Sequence, residues 1–251
     1  MKYLKIIIFS IGIIVLLYAV TFAIKLFNVD ILKIYGLLNE KQMIVESTIR
    51  DLIVIAIFFF GLILYGKKNI FKTIKINKIF KKKNISFIFM MCLSGLFLGS
   101  ILSGIVEQFI PPNKFMLSSV ENLKHSVLGI ISMIIIAPIL EEIIFRGIIF
   151  NYLKKYCRVT FAIIIQAIIF GVFHGNFFQG VYAFVLGIVL AIIYIYTDSL
   201  WGDIIGHALA NLIDIILIFK IAAIIFMIIS IISIIILIRN REKYKNEIKS
   251  I

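Results

Sequence analysis

Three ionisable side chains interrupt an otherwise apolar part of the sequence. Glu141 and Glu142 are adjacent, and Arg146 follows Glu142 by four residues. On a helix, Glu142 and Arg146 share a face and can pair, whereas Glu141 lies about 100° around the axis and can point elsewhere. Pro138 interrupts the backbone hydrogen bonds one turn earlier. A carboxylate left outside an ion pair could act as a general base, although a purely structural pair with one spare carboxylate explains the same residues.

Two other apolar stretches carry polar side chains that suit hydrolysis. His174 lies between Gly171 and Gly175, a spacing of small residues that lets a neighbouring helix approach closely. His207 and Asn211 are four residues apart and therefore share one helical face. An imidazole can hold a water molecule, and an amide can donate a hydrogen bond to an oxyanion. Packed, hydrogen-bonded core residues and a polar clamp between helices are the alternatives.

The elements that must position these residues are membrane helices. Of the 251 residues 62% are hydrophobic and the mean hydropathy is +1.12, which exceeds the apolar content of a soluble domain. Repeated apolar runs approach the ~20 residues that cross a bilayer, and such runs favour helices over barrel strands. We therefore predict an all-α polytopic transmembrane bundle of about eight spans. The predicted spans are 4–24, 52–66, 85–106, 126–150, 159–177, 180–197, 203–219 and 221–238.

The chain is expected to form a single membrane domain over 1–251. Within it we distinguish N-terminal spans with a basic loop at 1–125, a catalytic core at 126–219, and a last span with a basic tail at 220–251.

Basic residues set the expected orientation. The net charge is +13, and 18 of the 26 Lys and Arg residues lie in four clusters. These clusters are Lys2 with Lys5, the segment 67–83, the segment 154–158 and the tail 239–249. With eight spans and both termini cytoplasmic, all four lie on the cytoplasmic side, as the positive-inside rule requires.

The lysine-rich segment 67–83 predicts an interfacial amphipathic helix on anionic lipids, or else a solvated loop. No predicted extramembrane segment is long enough for a nucleic-acid-binding module, so nucleic acid is not an expected partner.

In this order, three motifs resemble those of the CPBP (CAAX protease and bacteriocin-processing) family, which includes the type II CAAX prenyl endopeptidases. They are Glu141-Glu142-x-x-x-Arg146, Phe170-x-x-x-His174 and His207-x-x-x-Asn211. The resemblance covers 126–219 and implies an intramembrane endopeptidase in a bacterial cytoplasmic membrane. Its substrate would be a membrane-associated peptide or protein, such as a CAAX-type protein or a bacteriocin or pheromone precursor. By position, the pair Glu142 and Arg146 would have a supporting role.

The resemblance implies that Glu141 and His174 catalyse hydrolysis and that His207 and Asn211 complete the site. In a metal-free scheme, Glu141 and His174 activate water while His207 and Asn211 stabilise the oxyanion. In the rival scheme, two histidines and a carboxylate bind Zn²⁺. Because no His-Glu-x-x-His spacing is present, we expect no metal cofactor and keep zinc as the alternative.

Two other functions remain compatible with a polar cluster inside a bundle. A non-catalytic immunity or binding protein could sequester a membrane-active peptide, and a small transporter could use Glu141 and the histidines as a proton relay. One difficulty concerns depth, because the predicted span ends place His174 nearer the outer face than Glu141 and His207. Either the span 159–177 begins later than drawn, or the helices are tilted or broken, and Gly175 and Gly180 would permit a break after His174.

Overall fold

The computed structural model describes residues 12, 15, 73–110, 124, 126–175, 177–216 and 220–249. Apart from residues 12 and 15, the first two predicted spans lie outside these ranges, as does most of the loop 107–125. Within them the chain forms seven helices and no strand, which confirms the predicted all-α class. The helices are α1 (Ile85–Glu107), α2 (Val127–Leu153), α3 (Val159–Phe173), α4 (Phe177–Thr197), α5 (Leu200–Ile216), α6 (Lys220–Arg239) and α7 (Arg241–Lys249).

Three of these helices are long and apolar enough to cross a membrane. They are α1, extended by a 3₁₀ turn to Lys82–Glu107, together with α2 and α4. The protein is therefore a helical membrane bundle. The predicted number of spans and the cytoplasmic location of both termini stay predictions.

We expect reporter fusions to place residue 75 and the C-terminal tail on the cytoplasmic side. The physical reason is the lysine excess at both places, since cationic segments next to spans are retained in the cytoplasm. Fusions of a phosphatase that is active only outside the cytoplasm, and of a cytoplasmic fluorescent protein, measure this directly. An external location for either position would contradict the eight-span topology.

Helix α4 is central to the bundle, because it packs along both α1 and α3 and also contacts α5. The approach of α3 to α4 depends on glycine. A Cβ atom on Gly171 would lie 2.6 Å from the carbonyl oxygen of Gly180, closer than side chains pack. The two helices therefore meet backbone to backbone one turn before His174, as the small-residue spacing predicted.

Helix α2 is irregular where it carries the charged residues. An α-helical stretch, Ala137–Glu142, lies between two π-helical stretches, Ser132–Ile136 and Ile143–Phe150. Pro138 lies at the start of the α-helical stretch and has no N–H to donate to the preceding turn, which favours wider turns there. Glu141 and Glu142 therefore end the regular stretch, and the second wide turn begins immediately after them.

The basic segment before α1 differs from the predicted amphipathic helix. Residues 74–81 form turns and extended backbone, and Ile74 is buried in the bundle. Lys75 and Lys78 both form ion pairs with Asp198, at the turn between α4 and α5. Partial burial raises the pKa of Asp198, but hydrogen bonds from the two lysines outweigh burial and hold the pKa below its ordinary value. Two lysines of the segment 67–83 are thus engaged in an internal contact, while the contact of this segment with anionic lipids stays a prediction.

Candidate active site

Glu142 links the first motif to the third. Its Oε1 atom accepts a hydrogen bond from Arg146 Nη1 at 2.9 Å and lies 2.7 Å from His207 Nδ1. All three side chains are buried, and those of Glu142 and Arg146 are fully so. A carboxylate acceptor places the hydrogen of the imidazole on Nδ1, so Nε2 faces away from Glu142. The predicted pair of Glu142 and Arg146 is therefore present, and it also orients His207.

Arg146 joins three helices. Its second terminal nitrogen donates to the carbonyl oxygen of Gly187 on α4 at 3.2 Å, and its guanidinium carbon lies 4.7 Å from the ring centroid of Phe170 on α3. Gln166 Nε2 donates to the same Gly187 carbonyl at 2.8 Å. A buried guanidinium with a carboxylate, a carbonyl and an aromatic face as partners is held rigidly.

Glu141 points away from this pair, as its position on the helix predicted. Its side chain keeps 16% of its surface exposed, whereas that of Glu142 keeps none. Glu141 Oε2 lies 3.8 Å from His207 Nε2, too far for a hydrogen bond. That oxygen has no hydrogen-bond partner among the described residues. Of the two carboxylates of α2, Glu141 is thus the one that the pair with Arg146 does not engage.

His174 lies where α3 ends. The helix stops at Phe173, four residues before the predicted span end at 177, and Gly175 adopts a left-handed backbone with φ of 66°, so the break after His174 is the alternative that the structure shows. His174 Nδ1 lies 2.8 Å from the carbonyl oxygen of Phe170. Because a carbonyl only accepts, the hydrogen is on Nδ1, and Nε2 keeps a free lone pair.

Phe170 brings the two histidines to one place. Its ring centroid lies 4.8 Å from the ring of His174 and 5.9 Å from the ring of His207, and both contacts are perpendicular. Two imidazoles that contact the same phenyl ring lie in one neighbourhood. The structure therefore brings together the two histidines that the predicted span ends had placed at different depths.

Asn211 makes a contact that the sequence did not predict. Its side-chain nitrogen donates to the carbonyl oxygen of Met133, in the first π-helical stretch of α2, at 2.7 Å. A wide turn leaves carbonyl groups without their usual partner, and Asn211 satisfies one of them. One of its two N–H groups is therefore used on backbone, and one remains.

Asp203 was not predicted as a site residue, although the residue lies close to the site. Asp203 is one helical turn before His207 and is fully buried. Its carboxyl group interacts electrostatically with that of Glu142. The signal was available, because the four-residue spacing from His207 to Asn211 continues backwards to Asp203.

The described side chains, as arranged, do not present a zinc site. No three His, Cys, Asp or Glu residues in the described ranges are grouped so that they could hold a metal ion. His207 Nδ1 is next to Glu142, and His174 Nδ1 is next to a carbonyl, so one nitrogen of each ring remains. Zinc stays an untested alternative.

Residues 123–213 match the family described as type II CAAX prenyl endopeptidase Rce1-like. The segment that carries the site is therefore similar to type II CAAX prenyl endopeptidases. All predicted site residues, from Glu141 to Asn211, lie within the matched range. The family resemblance drawn from the three motifs is thereby confirmed, while the role of each residue stays a prediction.

A curated Bacillus subtilis (strain 168) protein named "Putative membrane peptidase YdiL" is 36% identical over 83 residues. The match covers 33% of this chain and 34% of the relative, so this chain aligns with about a third of that protein. No solved structure matches.

Proposed function

We propose that the protein is an intramembrane endopeptidase that hydrolyses a peptide bond in a membrane-associated peptide or protein. The observation that carries the proposal is the contact of Glu141 and Glu142 with opposite nitrogens of His207. One carboxylate orients the ring and has an internal cation, and the other is free beside the ring. This arrangement lies in the segment that matches endopeptidases.

In the proposed reaction Glu141 is the general base. It removes a proton from a water molecule that the free lone pair of His174 Nε2 helps to hold, and the water oxygen bonds to the substrate carbonyl carbon. Glu141 then returns the proton to the leaving nitrogen as the C–N bond breaks. The products are a carboxylic acid and an amine, so the atoms and the proton balance.

His207 and Asn211 are the proposed oxyanion donors. Since Nδ1 of His207 already donates to Glu142, its Nε2 donates only when both ring nitrogens carry a hydrogen. Asn211 contributes the N–H that Met133 does not use. Fixed donors of this kind act on charge that develops in the transition state.

The test is cleavage by purified protein in lipid nanodiscs. Candidate substrates are bacteriocin precursors, peptide pheromones, CAAX-type peptides and membrane-anchored regulators, and products are identified by mass spectrometry. Cleavage by the wild-type protein that is absent in Glu141→Gln supports the proposal. Tight binding without cleavage would instead support the immunity or binding function, and proton-coupled uptake would support the transporter. We place the enzyme, as a multi-pass protein, in the bacterial cytoplasmic membrane.

We expect cleavage to survive chelators and Asn211→Asp to lower kcat by about 10²–10³-fold, as loss of an oxyanion donor does. The carboxylate would repel the oxyanion and would also face the carbonyl oxygen of Met133, from which Asn211 is 2.7 Å away. A metal site would tolerate or gain from the added carboxylate. Kinetics with and without chelator measure both effects. Full activity of Asn211→Asp that is lost on chelation and restored by zinc would overturn the metal-free mechanism.

A further inference from the structure

The interior around the site contains more acidic groups than cations. Glu142 and Asp203 are fully buried and interact electrostatically, and Arg146 is the buried cation between their helices. Arg146 donates one hydrogen bond to Glu142 and a second to the carbonyl oxygen of Gly187, and none to Asp203. Lys75 also acts on Asp203 electrostatically, but its ammonium group is bound to Asp198 at the turn between α4 and α5. Arg146 is therefore the one permanent buried cation shared by these two carboxyl groups among the described residues, and His207, when protonated, faces Glu141 and Glu142.

The two buried carboxyl groups differ in their number of hydrogen-bond partners. Glu142 Oε1 has two partners, Arg146 and His207, whereas Glu142 Oε2 has none among the described residues. Both oxygens of Asp203 also lack a partner there. An ionised carboxylate with neither a counter-ion nor donors is very costly to bury, whereas a neutral acid costs much less and supplies an O–H donor. Neighbouring carboxyl groups commonly share one proton in this way.

We propose that Asp203 is a positioning residue that is buried as a neutral acid and donates a hydrogen bond, directly or through one water molecule, to Glu142 Oε2. Glu142 then keeps its charge for Arg146 and His207. The proposal deepens the proposed function, because Asp203 would act on the reaction only through Glu142 and the orientation of His207.

The other polar groups around Asp203 already have hydrogen-bond partners other than Glu142 Oε2, or face Glu142 through its other oxygen. The thiol of Cys92 on α1 interacts electrostatically with Asp203 and Glu142. Its Sγ, however, donates to the carbonyl oxygen of Gly206 at 3.2 Å. The hydroxyl of Tyr194 on α4 accepts a hydrogen bond from Asn151 Nδ2 at 2.7 Å. It donates its own hydrogen to the carbonyl oxygen of Ile74 at 3.4 Å. His207, on the same helix as Asp203, faces Glu142. Among the described residues, Arg146 Nε and Asp203 are thus the nearby groups without a hydrogen-bond partner, and we assign Glu142 Oε2 to Asp203 because its two oxygens have no other partner there.

Infrared difference spectroscopy tests the proposal without any substrate. The spectrum of the wild-type protein minus that of Asp203→Asn at neutral pH should show the carbonyl stretch of a protonated carboxylic acid. Asp214→Asn on the same helix is the matched control, because Asp214 is half-exposed and ion-paired with Lys124 at 2.7 Å. The control should change carboxylate bands alone. A carboxylate band lost in Asp203→Asn, with no acid band, would overturn the proposal.

Kinetics test the positioning role. Asp203→Asn keeps a neutral donor and should cut within a few-fold of the wild-type kcat, whereas Asp203→Leu should lower kcat by about 10- to 100-fold with KM nearly unchanged, because a buried acceptor is left unsatisfied. Equal losses in both variants would contradict a donor role. If Asp203→Leu does not accumulate, Asp203→Asn and the infrared band decide. An acid band in a protein that cuts no peptide would leave the inference standing and refute the endopeptidase instead.

Discussion

Replacing Glu141 with glutamine is expected to lower kcat by about 10²–10⁴-fold, the contribution of a well-placed general base. Glutamine keeps the size of the side chain and can still hydrogen-bond water, but it cannot take up a proton. The side chain lies outside the buried pair and is partly exposed, so the folded protein should accumulate as the wild type does. Cleavage kinetics in nanodiscs, with membrane abundance measured in parallel, separate the two effects.

The matched control for Glu141→Gln is Glu107→Gln, which removes an exposed carboxylate at the end of α1. It should cut at the wild-type rate. A wild-type rate in Glu141→Gln would exclude Glu141 as the base. An equal fall in activity and in abundance would instead show that Glu141 is a structural residue.

Much of the site follows from helical spacing alone. Glu142 and Arg146 are four residues apart, and they form the ion pair that this spacing predicted. Glu141 is the next residue around the axis, and it is the one left free. Apolar run lengths placed helices α1, α2 and α4 to within a few residues, because burial in lipid makes continuous helices nearly obligatory.

The contacts between helices were not predictable in the same way. Which carboxylate holds His207 depends on the rotation of α5 against α2, and that rotation is shaped by the wide turns around Pro138. The hydrogen bond from Asn211 to the carbonyl oxygen of Met133 forms because a π-helical turn leaves that carbonyl without its usual partner. The spacing of residues in the sequence does not predict this bond. The segment 67–83 was assigned to lipid from its charge, whereas Asp198 provides an internal partner 120 residues after Lys78.

The largest loss of stability is expected for Glu142→Ala. Removing one partner of a fully buried ion pair costs about 3–5 kcal/mol, because the other charge remains buried without compensation. Here Arg146 would keep the carbonyl of Gly187 and the face of Phe170 as partners, and His207 Nδ1 would lose its acceptor. We therefore expect low membrane abundance and a lowered Tm as well as lost cleavage.

The double variant Glu142→Leu with Arg146→Met separates folding from catalysis. It removes both charges of the pair and fills their volume with apolar groups, a change that often leaves stability unaltered or improves it. Abundance and Tm should therefore recover towards the wild type. Cleavage should stay lost, because nothing then accepts the hydrogen bond from His207 Nδ1 and the ring is no longer oriented towards Glu141. Recovered cleavage in the double variant would show that Glu142 serves folding alone.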